Sequence, residues 1–145
     1  MRMPEVSVVM PVYNGEKYIR QAIESVFIQD VSLELLVIDD GSWDGTAGIL
    51  KEYEGRENFR YFRNSSNLGA AGSRNRGVRE ARGRYIAFLD ADDWWAPTFL
   101  EEMMGLVKEY PEAGIYASNY WYYKPGKTHV AVKKVYSVEC TVYED

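Results

Sequence analysis

One cysteine and one histidine are all that the 145 residues hold of these two side chains. With Cys140 alone, no intrachain disulfide can form, and a reducing compartment is expected. With His129 alone, there is no multi-histidine zinc set, and no partners for a Ser-His-Asp relay lie near it in sequence. No apolar run approaches the roughly 18 residues that a membrane-crossing helix needs, and the N-terminus lacks a signal-peptide layout. The expectation is a cytoplasmic chain that remains free to lie against the inner face of a membrane. A basic excess is also missing. Lys and Arg number 17 against 22 Asp and Glu, a net charge of -5, so the totals advertise no nucleic-acid surface. Neither a GxxxxGK[ST] loop nor a GxGxxG after the first apolar run is present.

What is there is an alternation of apolar runs and amphipathic stretches. "VSVVMPVY" (6–13) and "LELLVIDD" (33–40) are apolar and rich in β-branched residues, as strands buried on both faces are. "NGEKYIRQAIESVFIQ" carries apolar pairs at Tyr18/Ile19, Ala22/Ile23 and Val26/Phe27, a helical stripe. Asn14 is a candidate cap for it, and Glu16 suits its positive end. "GSWDGTAGILKEYEG" predicts a turn and a helix with Ile49, Leu50 and Tyr53 inward. "NFRYFRN" predicts a half-exposed strand. The glycine-rich "NLGAAGSRNRGVREARG" predicts a helix from about Gly69, with Ala71, Val78 and Ala81 available for burial and a close neighbour to explain the glycines. "RYIAFLD" is a fourth strand, expected to be buried and central in the sheet, and "APTFLEEMMGLVKEYPE" a helix with Pro97 near its start and Pro111 past its end. "AGIYASNYWYY" and "KTHVAVKKVYS" read as two further strands joined around "KPGK". The expected fold is α/β, a mostly parallel open sheet with helices on both faces and late strands partly antiparallel. No linker interrupts it, so 1–145 reads as a single domain.

In open α/β sheets ligands bind beyond the carboxyl ends of the strands. Three of these ends are unusual: "PVYNGE", "DDGSWDGT" and "DADD". Each has a plain reading as turn, cap or solvated loop. The last resists it most, because neighbouring carboxylates repel and need compensation. An Asp-x-Asp without histidine or cysteine offers hard oxygen ligands, suited to Mg²⁺ or Mn²⁺, whose shells phosphate oxygens complete. The two tryptophans that follow, Trp94 and Trp95, either shape a sugar pocket or cover the next helix, and packing is the favoured reading.

Taken in order, "VSVVMPVYNGEKYIRQAIESVFIQ", "ELLVIDDGSWDGT", "NLGAAGSRNRGVREARGRYIAFLDADD" and "PTFLEEM" resemble the family 2 glycosyltransferases, whose catalytic domain has the GT-A fold. The resemblance covers nearly all of residues 5–104. It implies a nucleotide-sugar donor, typically a UDP-sugar, an acceptor hydroxyl on a glycan or lipid-linked molecule, and inversion at the anomeric carbon. It further implies that Pro11 and Tyr13 line the nucleotide pocket, that Asp40 binds the base and that Asp39 supports its turn. Asp90 and Asp92 match the DxD motif, with Asp92 the metal ligand and Asp90 nearer the ribose or sugar. Arg74 and Asn75 match a pair beside the nucleotide.

The chain departs from the family in one respect. The catalytic base normally lies well downstream of DxD, and Glu139, Glu144 and Asp145 are not convincing counterparts. The chain reads as a nucleotide-sugar-binding domain that ends before the acceptor-binding half, with no base named. Exposed late strands would then invite self-association. A donor-binding module without turnover is the main alternative. A sugar nucleotidylyltransferase fits less well, because its early glycine-rich phosphate loop is missing. A DxD phosphatase fits less well because its motif ends the first strand.

Overall fold

The computed structural model describes residues 3–118, 121–124 and 127–131, the last two segments as strands. The chain forms two compact units, Met1–Leu100 and Glu101–Asp145. In the first, β1 (Val6–Val12) and β2 (Leu33–Asp39) are buried along their whole length, as uniform apolar runs dictate. They are joined by α1 (Ile19–Phe27), which buries Ile19, Ala22, Ile23 and Val26 and leaves Tyr18 in solvent. After α2 (Thr46–Lys51) comes β3 (Phe59–Arg63), the half-exposed strand that its alternation predicts. Then follow α3 (Gly69–Glu80), β4 (Tyr85–Phe88) and α4 (Phe99–Glu109). The element order is that expected.

The four strands form one parallel sheet in the order β3-β2-β1-β4. Val6 pairs with both Leu33 and Tyr85, so the carboxyl ends of β1, β2 and β4 meet at one rim. Among the described residues β4 pairs only with β1. It is an edge strand, with Ile86 38% and Phe88 49% exposed, where the apolar run had suggested a buried one. In the second unit, β5 (Trp121–Lys124) and β6 (Lys127–Ala131) form an antiparallel ribbon. Residues 113–118, the start of the first late run, are not in a strand. Pro125 and Gly126 of "KPGK", Cys140, Glu139, Glu144 and Asp145 lie outside the described residues.

Two sets of side chains fix the ends of the sheet. At the amino end the buried Glu34 accepts from Ser7 Oγ (2.6 Å), Arg82 N (2.7 Å) and Arg60 Nη1 (3.3 Å). A buried carboxylate so supplied with donors holds the α3–β4 turn beneath β1. At the carboxyl end, "PVYNGE" and "DDGSWDGT" are zipped together by five bonds. Asn14 N donates to Ser42 Oγ (2.8 Å), Gly15 N to Thr46 Oγ1 (2.9 Å) and Glu16 N to Asp44 Oδ2 (3.2 Å). In return, Trp43 N donates to Asn14 Oδ1 (3.0 Å) and Gly45 N to Glu16 Oε2 (2.7 Å). Asn14 therefore does not cap α1, which has no side-chain cap and starts five residues later. Nor does Glu16 serve α1, since its carboxylate sits at the start of α2. Asn14 holds φ +51, a left-handed conformation that asparagine tolerates better than most residues.

α3 also corrects the sequence reading. Ala71 and Val78 face solvent and Ala81 is half-buried, while Ser73 and Gly77 are the buried positions. A methyl group on Gly77 would overlap Val9 Cγ1, so the close neighbour expected from the glycines is β1 itself. The two tryptophans divide. Trp95 is buried and stacks on Phe99 at 4.6 Å, the packing role favoured above, whereas Trp94 is exposed.

Two substitutions test this framework. Gly77→Ala should destabilise the protein by about 1–3 kcal/mol through overpacking, read from urea unfolding. Asn14→Ala should cost about 1–2 kcal/mol, from the lost bond and the left-handed backbone. Asn14→Gly, which relieves the backbone, should lose less. Equal losses for the two would show that φ at position 14 is not a constraint.

Candidate active site

At the carboxyl rim the zipped loops, β4 and α3 enclose a cavity of about 340 Å³, within the range of small-ligand sites. Its charged lining is Asp40, Asp90, Asp92 and Arg74, so three carboxylates face one guanidinium. Pro11 and Tyr13 line the same space from the end of β1. Segments up to 81 residues apart, from Pro11 to Asp92, thus converge, because the parallel register brings their ends together. Six of the seven residues singled out in the sequence share this cavity. The seventh, Asp39, is not among the lining residues.

Asp39 is fully buried beneath the rim. Its Oδ1 accepts from Ser42 N at 2.8 Å, which closes the "DDGS" turn. Its Oδ2 accepts from the Tyr61 hydroxyl at 3.1 Å and pairs with Arg63 at 3.5 Å. The carboxylate is consumed in holding the loop.

Asp40 has a different environment. Oδ1 accepts from Asn64 Nδ2 (2.7 Å) and Leu68 N (2.8 Å), and Oδ2 from Gly69 N (2.8 Å). Burial alone would raise its pKa. The bonds from Leu68, Asn64, Gly69 and Ser73 more than reverse this and hold the carboxyl below its ordinary value. Asp40 is therefore an anion at neutral pH with one side on the cavity. Leu68 is the cap position of α3 and Gly69 its first residue, so the same carboxylate satisfies free N–H groups of the helix start. That fixes α3 against β2 and sets the direction in which Arg74, one and a half turns on, leaves the helix.

Arg74 Nη2 reaches Asp90 Oδ1 at 2.5 Å, and both groups remain partly exposed. Asp92 lies exposed on the same wall, and Asp93 is its neighbour in sequence. Burial raises the Asp93 pKa, and the charges of Asp92 and Asp90 raise it further, a direct sign of repulsion within "DADD". Among the described residues no group of three or more His, Cys, Asp or Glu side chains forms a ready metal cage. The donor set fits an ion that takes one or two carboxylates and completes its shell from phosphate and water, as Mg²⁺ and Mn²⁺ do. It does not fit zinc.

Sequence reasoning missed Asn64 and Ser73. Asn64 is 3% exposed and binds Asp40, Ser73 Oγ (3.0 Å) and Arg76. The only signal for it was its position immediately past β3, where the other strand ends carry the site. Trp43, 79% exposed in the "DDGSWDGT" loop, lies outside the cavity lining.

Comparison with known proteins identifies the family. The family model described as Glycosyl transferase family 2 matches residues 7–139. Glycosyltransferase GlyA of Streptococcus pneumoniae serotype 4 is 32% identical over 118 residues, 81% of this chain and 17% of that protein. The uncharacterized glycosyltransferase YibD of Escherichia coli strain K12 is 40% identical over 108 residues, 72% of this chain and 31% of YibD. Among solved structures, S. aureus TarS 1–349 in complex with UDP-GlcNAc superposes with a TM-score of 0.69 at 31% identity, covering 74% of this chain and 32% of that one. The mannosyltransferase PcManGT of Pyrobaculum calidifontis, in complex with GDP-Man and Mn²⁺, gives 0.67 at 26% identity, covering 74% of this chain. The chain spans about a third or less of the length of these relatives. With a parallel sheet like that of the GT-A structures, and with the family model matched from β1 past the last described strand, the chain belongs to glycosyl transferase family 2.

Proposed function

We propose that the cavity holds the nucleoside diphosphate of a sugar donor, a UDP-sugar in this reading, and that the protein transfers the sugar to a hydroxyl of a glycan or lipid-linked acceptor. The observation that carries the proposal is the meeting of Asp40, Arg74, Asp90 and Asp92, from two strand ends and a helix, in one cavity. Binding of UDP-GlcNAc and GDP-Man by two structural relatives supports it.

The chemistry follows from the charges. A diphosphate is anionic, and the cavity lining carries three carboxylates against one guanidinium, so the ligand and the wall need further positive charge between them. A divalent cation, Mn²⁺ or Mg²⁺, would be held by Asp92 with Asp90 alongside, and would supply Lewis-acid stabilisation of the charge that grows on the departing diphosphate. Arg74 stands beside Asp90 and adds the one fixed cation of the lining. Asp40, kept ionised at the other side, accepts an N–H of the base. Pro11 and Tyr13 form an apolar wall for the nucleoside.

A second reading is donor binding without turnover. Its support is the lining itself, in which each carboxylate has a donor-side task in this reading and, among the described residues, no further Asp, Glu or His stands ready to take the acceptor's proton. Release of sugar from a UDP-sugar, with or without acceptor, separates the two readings.

Calorimetry with UDP tests the site. Binding with Mn²⁺ should be at least about tenfold tighter than with a chelator, the scale of a charge-assisted contact. Asp92→Ala should erase the difference. Equal metal dependence in wild type and variant would remove Asp92 from the metal site. Asp40→Asn should weaken UDP about tenfold or more with the metal effect retained.

A further inference from the structure

Behind Asp40 lies a chain of polar groups in which Arg76 and Asn64 stand outside the cavity lining. Arg76 Nη1 donates to Asn64 Oδ1 at 2.6 Å and to the Arg63 carbonyl at 2.8 Å. Its guanidinium also lies over the Phe62 ring, 5.4 Å from the centroid. Phe62 itself packs on the core formed by Val9, Leu36 and Ile38. Asn64 then donates through Nδ2 to Asp40 Oδ1 at 2.7 Å and to Ser73 Oγ at 3.0 Å, while its backbone N–H donates to the Asp39 carbonyl at 2.8 Å. Every polar group of this buried asparagine except its carbonyl is thereby engaged.

The chemistry of the two end groups decides the orientation of the amide between them. A guanidinium has only donors, and an ionised carboxylate has only acceptors. The amide oxygen must therefore face Arg76, and the amide nitrogen must face Asp40. Turned the other way, Asn64 would set oxygen against oxygen at Asp40 and N–H against N–H at Arg76. Donation from a charged group also polarises the amide and strengthens its N–H as a donor to the carboxylate. Arg76 is a fixed cation whose influence reaches Asp40 through one side chain.

We propose that Arg76 is a positioning residue for recognition of the donor base, acting through Asn64 to hold the Asp40 carboxylate aimed as an acceptor into the cavity. This rests on the donor-site reading above, in which Asp40 accepts the N–H of the base. Arg76 and Asn64 are absent from the cavity lining, so neither touches the ligand. Their effect is on selectivity. With the amide fixed, Asp40 accepts an imide N–H and rejects a base that has none. With the amide free to turn, Asp40 can rotate or take a proton, and the rejection weakens. Arg74, two residues earlier on α3, differs in kind, since it lines the cavity and pairs with Asp90.

The test compares UDP with N3-methyluridine diphosphate, which lacks the imide N–H, by calorimetry on the intact chain with Mn²⁺ present. The wild type should prefer UDP by about tenfold or more, the scale of one hydrogen bond to a charged acceptor. Arg76→Met keeps the apolar stem of the side chain but removes the guanidinium that donates to Asn64 and lies over Phe62. It should narrow the preference to about threefold or less, while Mn²⁺ still strengthens UDP binding. Arg76→Lys, which can donate one bond to Asn64, should restore part of the preference. Should Arg76→Met fail to fold, Arg76→Gln, a shorter neutral donor, must narrow the preference instead. A variant that lowers the melting temperature but keeps the wild-type preference shows a purely structural role and overturns the proposal. If wild type and Asp40→Asn show the same preference, Asp40 does not read the base, and the donor-site reading fails along with it. If Asp40→Asn abolishes the preference and Arg76→Met leaves it intact, only the role of Arg76 is overturned.

Discussion

A buried carboxylate must be compensated where it lies, and much of this fold is arranged around the compensation of Asp40. The residue ends β2, inside the sheet's rim, where burial works against its charge. The start of α3 supplies Leu68 N and Gly69 N, and β3 supplies Asn64. Meeting that need ties the second strand, the third strand and the third helix into one corner. Helix direction follows, and with it the position of Arg74 over Asp90. Gly77 lets the same helix rest on β1 with no side chain between. The cavity is what remains between this corner and the end of β4.

The other wall depends on a different device. Five bonds between "PVYNGE" and "DDGSWDGT" join loops that neither α1 nor α2 would hold alone. The chain thus spends its rim polar groups on two tasks. Asn14, Glu16, Asp39, Ser42 and Asp44 build the walls, and Asp40, Arg74, Asp90 and Asp92 face the space inside. Residues of the same type and almost the same position, such as Asp39 and Asp40, are separated only by which side of the turn they occupy. For a family 2 glycosyltransferase this division has a simple sense: a weakly held loop could not keep an anionic wall in place against its own repulsion.

Much of this was legible in the sequence. The two inner strands are uniform apolar runs and could be little else, and α1 carries an apolar stripe along its length. Convergence of the three strand ends followed from the alternation of elements, which is why the cavity residues were identified together. What was not legible has a common cause. Hydrophobic periodicity misread α3, because its inward face is Ser73 and Gly77, chosen for a hydrogen bond and for closeness rather than for apolar area. Asn14 was read as a local cap when its partner lies 29 residues away. Asn64 and Arg76 are 12 residues apart on different elements, a spacing with no local signature. The edge position of β4 depends on which strands lie beside it, and an apolar run of that length cannot declare this.

The central claim is that one acidic cavity, built from the ends of β1, β2 and β4 and from α3, takes both halves of a nucleoside diphosphate. A crystal structure of the chain with UDP and Mn²⁺ addresses it most directly. The account predicts the uracil N–H on Asp40, the diphosphate between Arg74 and a cation bound by Asp92, and the five inter-loop bonds unchanged. Nucleotide bound with its base away from Asp40, or a cation held by carboxylates outside this cavity, would contradict it.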